Sequence, residues 1–97
     1  MTMADRKNPE NVFHVVIDGE LDLHTFNPSE LGTLVDEYID ACREKGIYNI
    51  RIIHGKGTGA LRRSVHKLLE RNRFVINFGI DGGRSGWGVT TATLQKN

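Results

Sequence analysis

Three side chains able to move protons stand near the ends of two predicted strands. Asp22 and His24 belong to a short apolar–polar alternation, and His54 follows the β-branched run at residues 48–53. In a parallel strand–helix–strand unit, both carboxyl ends meet at one edge of the sheet, where ligands of such folds bind. A carboxylate and two imidazoles at that edge can act as base and acid near neutral pH. Asp22, His24 and His54 are therefore predicted to be catalytic residues.

A glycine-rich turn comes directly after His54. It reads Gly55-Lys56-Gly57-Thr58-Gly59 and leads into a predicted helix. Glycine permits close approach of another molecule, and a helix N-terminus offers unpaired N–H groups and the positive end of its dipole. This is the construction of an anion site, with Lys56 at its mouth. Phosphate suits it, because cleavage of a phosphodiester needs a base, an acid and groups that hold the phosphate charge.

The first strand and the first helix are indicated by periodicity. At residues 21–24 two leucines alternate with polar residues, so the leucines are predicted to face the core while Asp22 and His24 share the opposite face. A helix is predicted to begin at Asn27, which can cap it, and to end before Gly46. Its inward positions, at helical spacing, are Leu31, Leu34, Val35, Tyr38, Ile39 and Cys42.

The remaining elements complete an α/β pattern. A second strand is predicted over residues 48–54, a second helix over 58–71, a third strand over 74–80 and a last strand over 89–94. Strand–helix–strand units are parallel and right-handed, whereas the short loop before the last strand predicts an antiparallel pair. The predicted fold is a two-layer α/β sandwich with a mixed four-stranded sheet and two helices, in the order βαβαββ. The β-rich run at residues 12–17 offers an extra N-terminal strand.

Size and composition bound the class of protein. With 97 residues, of which 26% are charged and 38% hydrophobic, the chain is expected to form one soluble domain over residues 12–97, after a flexible tail at residues 1–11. No apolar run approaches the ~20 residues needed to cross a bilayer, and no signal core is seen, so we expect a cytoplasmic location and no membrane partner. Cys42, the sole cysteine, is expected to be a buried thiol.

The charges divide unevenly along the chain. Residues 1–50 carry 10 acidic and 4 basic residues, whereas residues 51–97 carry 2 acidic and 9 basic residues. Such a division suggests a polyanion partner on one face. Outward positions of the second helix hold the predicted nucleic-acid contacts Arg62, Arg63 and Lys67. A second glycine-rich loop adds Arg84 and Trp87; the tryptophan can stack on a base or cover the core.

Two other kinds of site stay open at this point. Asp22, His24 and His54 can be arranged as metal ligands, with a divalent cation such as Mg²⁺ as the occupant, although no short ligand spacing marks them. The glycine turn also fits a dinucleotide-binding loop, G-x-G-x-x-A, but the chain is too short for the two-half dinucleotide fold. His14 and His66 lack comparable neighbours and are interpreted as surface or packing residues.

Several of these stretches resemble the motifs of the Smr (small MutS-related) domain. The resemblance rests on LDLH at residues 21–24, HGKGTGALR at residues 54–62 and GWGVT at residues 86–90, and it covers about residues 17–94. It implies a fold akin to the C-terminal domain of translation initiation factor three, binding of DNA or structured RNA, and a nicking endonuclease activity linked to DNA repair and recombination, within a larger repair complex. Carried over by position, the functional residues are Asp22, His24, His54, Gly55 and Gly57.

The first motif departs from the family pattern at one point. The family usually has glycine after LDLH, whereas Thr25 and Phe26 follow here, and a bulkier side chain is expected to narrow the cleft. The alternative function is therefore a binding module of the same fold without cleavage.

Overall fold

Four strands and two helices make up most of the computed structural model, which describes residues 16–83 and 88–96. In chain order they are strand β1 (Glu20–Asp22), a 3₁₀ turn (Pro28–Glu30), helix α1 (Leu34–Glu44), strand β2 (Asn49–Ile53), helix α2 (Ala60–Arg71), strand β3 (Val75–Ile80) and strand β4 (Val89–Leu94). The predicted α/β fold class is confirmed. The tail predicted at residues 1–11 and most of the extra strand predicted at residues 12–17 lie outside the described residues.

The four strands form one mixed sheet in the order β1-β2-β4-β3. β1 pairs parallel to β2, with Asp22 opposite Ile53, and β4 runs antiparallel to both of its neighbours, β2 and β3. The crossover through α2 therefore passes over β4 before it reaches β3. As a result, the carboxyl ends of β1 and β2 lie side by side, and Val89, the first residue of β4, pairs with Ile53 beside them.

Both helices pack on one face of this sheet. The inward residues of the strands share one core with the inward residues of both helices; that core contains Leu21, Leu23, Leu31, Val35, Tyr38, Ile39, Cys42, Ile50, Ile52, Val65, Leu69, Ala92 and Leu94. The two leucines after Glu20 are buried while Asp22 and His24 are exposed, as the alternation predicted. No helix within the described ranges has the length and apolarity needed to cross a bilayer.

The start of the first helix differs from the prediction. Asn27 and Glu30 do bond to each other, since the Asn27 N–H donates to Glu30 Oε1 at 2.8 Å and the Glu30 N–H donates to the Asn27 carbonyl at 2.9 Å. However, these residues form a 3₁₀ turn, and α1 begins only at Leu34. Gly32 interrupts the segment, and glycine weakens a helix by about 1 kcal/mol relative to alanine. The turn places Pro28 at the rim of the cleft described below.

The end of α1 follows the predicted pattern. Gly46 has φ = 79°, its N–H donates to the Arg43 carbonyl at 3.1 Å, and the N–H of Ile47 donates to the Cys42 carbonyl at 2.8 Å. These two bonds satisfy the last carbonyl groups of the helix, and they turn the chain toward β2. Cys42 is fully buried, as predicted, and burial raises the pKa of its thiol.

Candidate functional site

Asp22, the last residue of β1, forms a hydrogen-bonded pair with His24, which lies two residues further along the chain. Asp22 Oδ1 lies 2.5 Å from His24 Nδ1 and also accepts the His24 backbone N–H at 3.1 Å. Because a carboxylate only accepts, the imidazole Nδ1 carries the proton, and Nε2 of the neutral ring is left as a base. Both side chains are about half exposed, at 52% for Asp22 and 56% for His24, so a large substrate can reach them.

The environment keeps Asp22 ionised. Burial alone would raise the pKa of this carboxyl, but the hydrogen bonds from the His24 side chain and backbone outweigh that effect and lower the pKa below its ordinary value. The carboxylate therefore stays charged at neutral pH and fixes the orientation of the imidazole.

A cleft of about 420 Å³ opens between this pair and the glycine turn. Its walls come from the β1–α1 connection, the turn after β2 and the first turn of α2: His24, Phe26, Pro28, His54, Gly55, Lys56, Gly57, Thr58, Gly59, Ala60, Leu61 and Arg62. All five residues of the predicted phosphate turn thus line the same cavity as His24. Asp22 is not part of the cleft wall, but it is hydrogen-bonded to His24, which is.

The turn adopts its shape because two of its glycines take left-handed backbone conformations. Gly55 has φ = 80° and Gly59, which precedes α2, has φ = 90°. A residue with a Cβ is strained in that region. Gly57, between them, has no positive φ, and a Cβ added there would meet nothing within 4 Å. The open space beside Gly57 belongs to the cleft.

Positive charge converges on the start of α2. A Cβ added at Gly59 would lie 2.9 Å from Nη2 of Arg62 and 3.2 Å from Nη1 of Arg63, so both guanidinium groups fold back over the first turn of the helix. The first N–H groups of a helix lack partners within it. Here the Ala60 N–H is bonded at 3.4 Å to the hydroxyl of Thr58. Guanidinium groups, helix dipole and Lys56 together make this end of the cleft suited to an anion.

The same basic surface continues on the other side of α2. Arg62 and Arg63 also line a groove of about 390 Å³ with His66, Lys67, Glu70 and Phe78. Lys67 therefore lies beside the cleft, along α2, and not within it. Arg84 and Trp87, the other predicted nucleic-acid contacts, lie outside the described residues.

His54 occupies a different environment from His24. Its side chain is 3% exposed, its Nδ1 lies 3.0 Å from the Gly55 carbonyl oxygen, and its Nε2 lies 2.8 Å from Oγ1 of Thr90. Burial and the nearby charge of Arg62 lower its pKa. Both ring nitrogens are thus occupied by protein partners, which leaves none free for a substrate. The structure brings His54 to the predicted edge of the sheet, but it points the ring into the protein.

Two residues that the sequence did not single out complete this buried cluster. His66, interpreted as a surface or packing residue, places Nε2 2.7 Å from Oγ1 of the fully buried Thr90, and its ring packs edge-on against Phe78 with centroids 5.1 Å apart. A signal was present: Thr90 has the strand parity of the buried Ala92 and Leu94, and a hydroxyl on the buried face of a strand needs a partner.

The residues considered as metal ligands do not form a metal site. In residues 16–83 and 88–96, no three carboxylate, imidazole or thiol side chains are grouped so that they could hold one ion. Asp22 and His24 are bonded to each other, and the nitrogens of His54 are bonded to Gly55 and Thr90. The geometry of this set therefore does not fit a three-ligand metal centre.

Similarity to known proteins points to one family. The family model described as Smr domain matches residues 21–95. The chain is 38% identical over 77 residues to Endonuclease MutS2 of Brevibacillus brevis and 41% identical over 78 residues to Endonuclease MutS2 of Symbiobacterium thermophilum, covering 78% and 79% of this chain. In each case the match spans only 10% of the relative's length.

Solved structures agree with the sequence matches. The crystal structure of the Smr domain of Thermus thermophilus MutS2 superposes with a TM-score of 0.74 at 35% identity, covering 80% of this chain and 99% of that one. YdaL, a stand-alone small MutS-related protein from Escherichia coli, superposes with a TM-score of 0.73 at 25% identity, covering 80% of this chain and 65% of that one.

Proposed function

The chain belongs to the Smr domain family, and from that premise we propose that it binds nucleic acid through the phosphate backbone and nicks it. The relatives named above are called endonucleases, although this chain corresponds to about a tenth of their length. The proposal therefore rests on this chain's own site. The observation that carries it is the shared cleft, in which an imidazole held by a carboxylate faces a glycine turn built for an anion.

The glycine turn and the start of α2 would hold the scissile phosphate. Lys56 and Arg62 line the cleft, and their charges would balance the negative charge that builds up on the phosphate oxygens during attack. The open space at Gly57 lets a phosphate oxygen approach the backbone. None of these groups reads a base edge, so we expect binding to DNA or RNA with little sequence preference.

His24 would activate the attacking oxygen. Asp22 accepts the proton on Nδ1 and so leaves Nε2 of His24 as the base toward the cleft. A hydroxyl group, from water or from a ribose, would give its proton to Nε2 as its oxygen attacks phosphorus. The P–O bond to the leaving oxygen would break, and that oxygen would take up a proton from solvent. The lowered pKa of Asp22 keeps its carboxylate charged in mildly acidic solution, so the carboxylate still accepts the Nδ1 proton of His24 there.

One observation favours the second candidate, a binding module without cleavage. Phe26 lines the cleft one residue after Thr25, which stands where the family resemblance leads us to expect glycine. An aromatic side chain there reduces the room beside His24 for the attacking oxygen and the leaving group. Binding through the glycine turn and α2 does not depend on that room, so it would survive even where cleavage does not.

Supercoiled plasmid and a fluorescein-labelled oligonucleotide, each incubated with the purified protein, distinguish the two functions. Conversion of the plasmid to the relaxed form, lost in Asp22→Asn, supports a nicking enzyme. Binding of the oligonucleotide by a protein that leaves the plasmid supercoiled, with or without EDTA or added Mg²⁺, supports the binding module. A Phe26→Gly variant that gains nicking would show that this side chain blocks the cleft. Absence of both binding and nicking would rule out the proposal.

A further inference from the structure

A chain of hydrogen bonds runs through the protein from α2 to the glycine turn. It links Nε2 of His66 to Oγ1 of Thr90 at 2.7 Å, Oγ1 of Thr90 to Nε2 of His54 at 2.8 Å, and Nδ1 of His54 to the carbonyl of Gly55 at 3.0 Å. Thr90 and His54 are buried, at 0% and 3% exposure. The three side chains come from α2, β4 and the end of β2, so the chain ties three elements together.

The chemistry of the partners fixes the direction of every proton in this chain. The carbonyl of Gly55 can only accept, so Nδ1 of a neutral His54 is the donor and its Nε2 is an acceptor. The hydroxyl of Thr90 must then donate to His54, and Oγ1 in turn accepts the proton on Nε2 of His66. All of these groups are satisfied only when both rings are neutral and hold these tautomers.

The last group in this series of hydrogen bonds is the carbonyl of Gly55, the residue that shapes the anion site. Gly55 has φ = 80°, and a Cβ added to it would lie 3.4 Å from the Cβ of His24. The N–H groups of His54 and Gly55 both donate to the carbonyl of Gly88, at 2.9 and 3.0 Å. Gly88 is the residue directly before β4, the strand that contains Thr90. Movement of β4 or of the His54 ring would therefore displace the turn relative to His24.

We propose that Thr90 and His66 are positioning residues which, through His54, hold the Gly55 carbonyl so that the glycine turn presents its backbone to a phosphate. The inference rests on the proposed function, because it assigns what holds that same binding turn in place. It also gives His54 a positioning role in place of direct contact with substrate. None of the three side chains has to touch the nucleic acid.

The arrangement makes phosphate binding sensitive to acid in a particular direction. If His54 becomes protonated, its Nε2 donates to Oγ1 of Thr90 as Nε2 of His66 already does, so the Thr90 hydroxyl proton loses its acceptor unless His66 exchanges its tautomer. If both rings are protonated, no tautomer of His66 can restore that acceptor. Either change weakens the hydrogen bonds that position the glycine turn, so the affinity for nucleic acid should fall in acid. Simple attraction between imidazolium and phosphate predicts the opposite sign.

Other charged groups near the two rings act on this titration as well. Burial and the charge of Arg62 disfavour protonation of both histidines, and the two rings, 6.1 Å apart, also repel each other when charged. The charged and titratable residues around them are Arg62, Arg63, Lys67 and Glu70 in the groove beside His66, and His24 and Lys56 in the cleft beside His54.

Thr90→Val tests the proposal, because valine keeps the branched shape and removes the hydroxyl. Affinity for a fluorescein-labelled single-stranded oligonucleotide at neutral pH should fall about tenfold, in line with the loss of a buried hydrogen-bond partner. Thr90→Ser restores the hydroxyl and should bind within about twofold of the wild type. Thr91→Val is the matched control, since it makes the same change at an exposed position one residue along β4. A folded Thr90→Val protein with wild-type affinity would overturn the proposal and leave the nucleic-acid function standing.

A second measurement on the wild-type protein covers the cases in which Thr90→Val does not fold or no oligonucleotide binds. Imidazole ¹⁵N spectra should show the proton of His54 on Nδ1 and that of His66 on Nε2. The amide signals of Gly55 and Gly57 should shift as the two rings titrate. The opposite tautomers, or loop amides that stay unchanged through the titration, would refute the positioning role, whereas failure of the wild type to bind would count against the proposed function alone.

Discussion

The Cβ of His24 lies 3.4 Å from the point where a Cβ on Gly55 would stand. This proximity brings His24, which follows β1 and can accept a proton, next to Gly55, which begins the anion-binding turn after β2. It exists because β1 and β2 pair in parallel, with Asp22 opposite Ile53, so that both strands end at the same height. A phosphate in the turn would therefore lie within reach of the imidazole.

Asp22→Asn should lower the nicking rate by about 100-fold or more, because the amide can present its N–H to Nδ1 and hold the wrong tautomer of His24. Binding should change little, and so should stability, since the pair is about half exposed. The measurements are plasmid relaxation, anisotropy and urea unfolding. Glu20→Gln is the control, a carboxylate on the same strand that contacts Arg51. Equal nicking by wild type and a folded Asp22→Asn protein would remove Asp22 from the mechanism.

Gly57→Ala should leave stability near that of the wild type, because the added Cβ meets nothing within 4 Å and the backbone is not left-handed. The affinity for an oligonucleotide should nevertheless drop toward background, since the methyl group enters the cleft. Calorimetry and anisotropy on one sample measure both effects. Gly79→Ala, also in open space but on β3, is the control and should bind normally.

Gly59→Ala should behave differently from Gly57→Ala. With φ = 90° and Arg62 within 2.9 Å of the new Cβ, the variant should lose about 1–2 kcal/mol of stability. Chemical unfolding measures that loss. If Gly57→Ala were the less stable of the two, the assignment of strain within the turn would be wrong.

Binding should weaken with salt and hardly depend on sequence. Contacts of Lys56, Arg62, Arg63 and Lys67 with about four phosphates predict that log K falls against log salt with a slope of roughly −3 to −4. The double variant Arg62→Ala, Arg63→Ala should reduce the slope, whereas Lys96→Ala, which removes a charge beyond the far end of β4, should not. An affinity that stays constant with salt would exclude the basic surface as the binding face.

Stability should decline as the pH falls below the ordinary pKa of histidine. The folded-state pKa values of His54 and His66 both lie below the ordinary value of 6.5, so the unfolded chain takes up protons at higher pH than the folded one. The stabilisation is present above pH 6.5 and is lost as the pH falls through the folded-state values. Urea unfolding across this range measures it. In His66→Gln, whose amide can donate to Thr90 without titrating, the decline should be shallower. A wild-type stability that stays constant with pH would contradict the neutral state of the two rings.

The local sequence pattern was sufficient to predict most of the elements that position the site. The alternation at residues 21–24 placed the leucines in the core and Asp22 with His24 outside, because side chains alternate along a strand regardless of its neighbours. The turn at residues 55–59 was recognisable because a strand pattern, a glycine-rich stretch and a helix pattern follow one another directly in the sequence. Grouping His24 with that turn needed only the rule that a strand–helix–strand unit is parallel, which the β1–β2 pairing confirms.

The roles of His54 and His66 depended on the tertiary structure. β4 inserts between β2 and β3, and only this order places Thr90 between His54 and His66, 36 and 24 residues away along the chain. Periodicity describes which face of an element is apolar, but it does not determine which strand lies beside which. Strand order depends on how the whole core packs. The sequence identified His54 as a catalytic candidate at a strand end, whereas the packing of β4 beside β2 buries its ring and bonds it to Thr90.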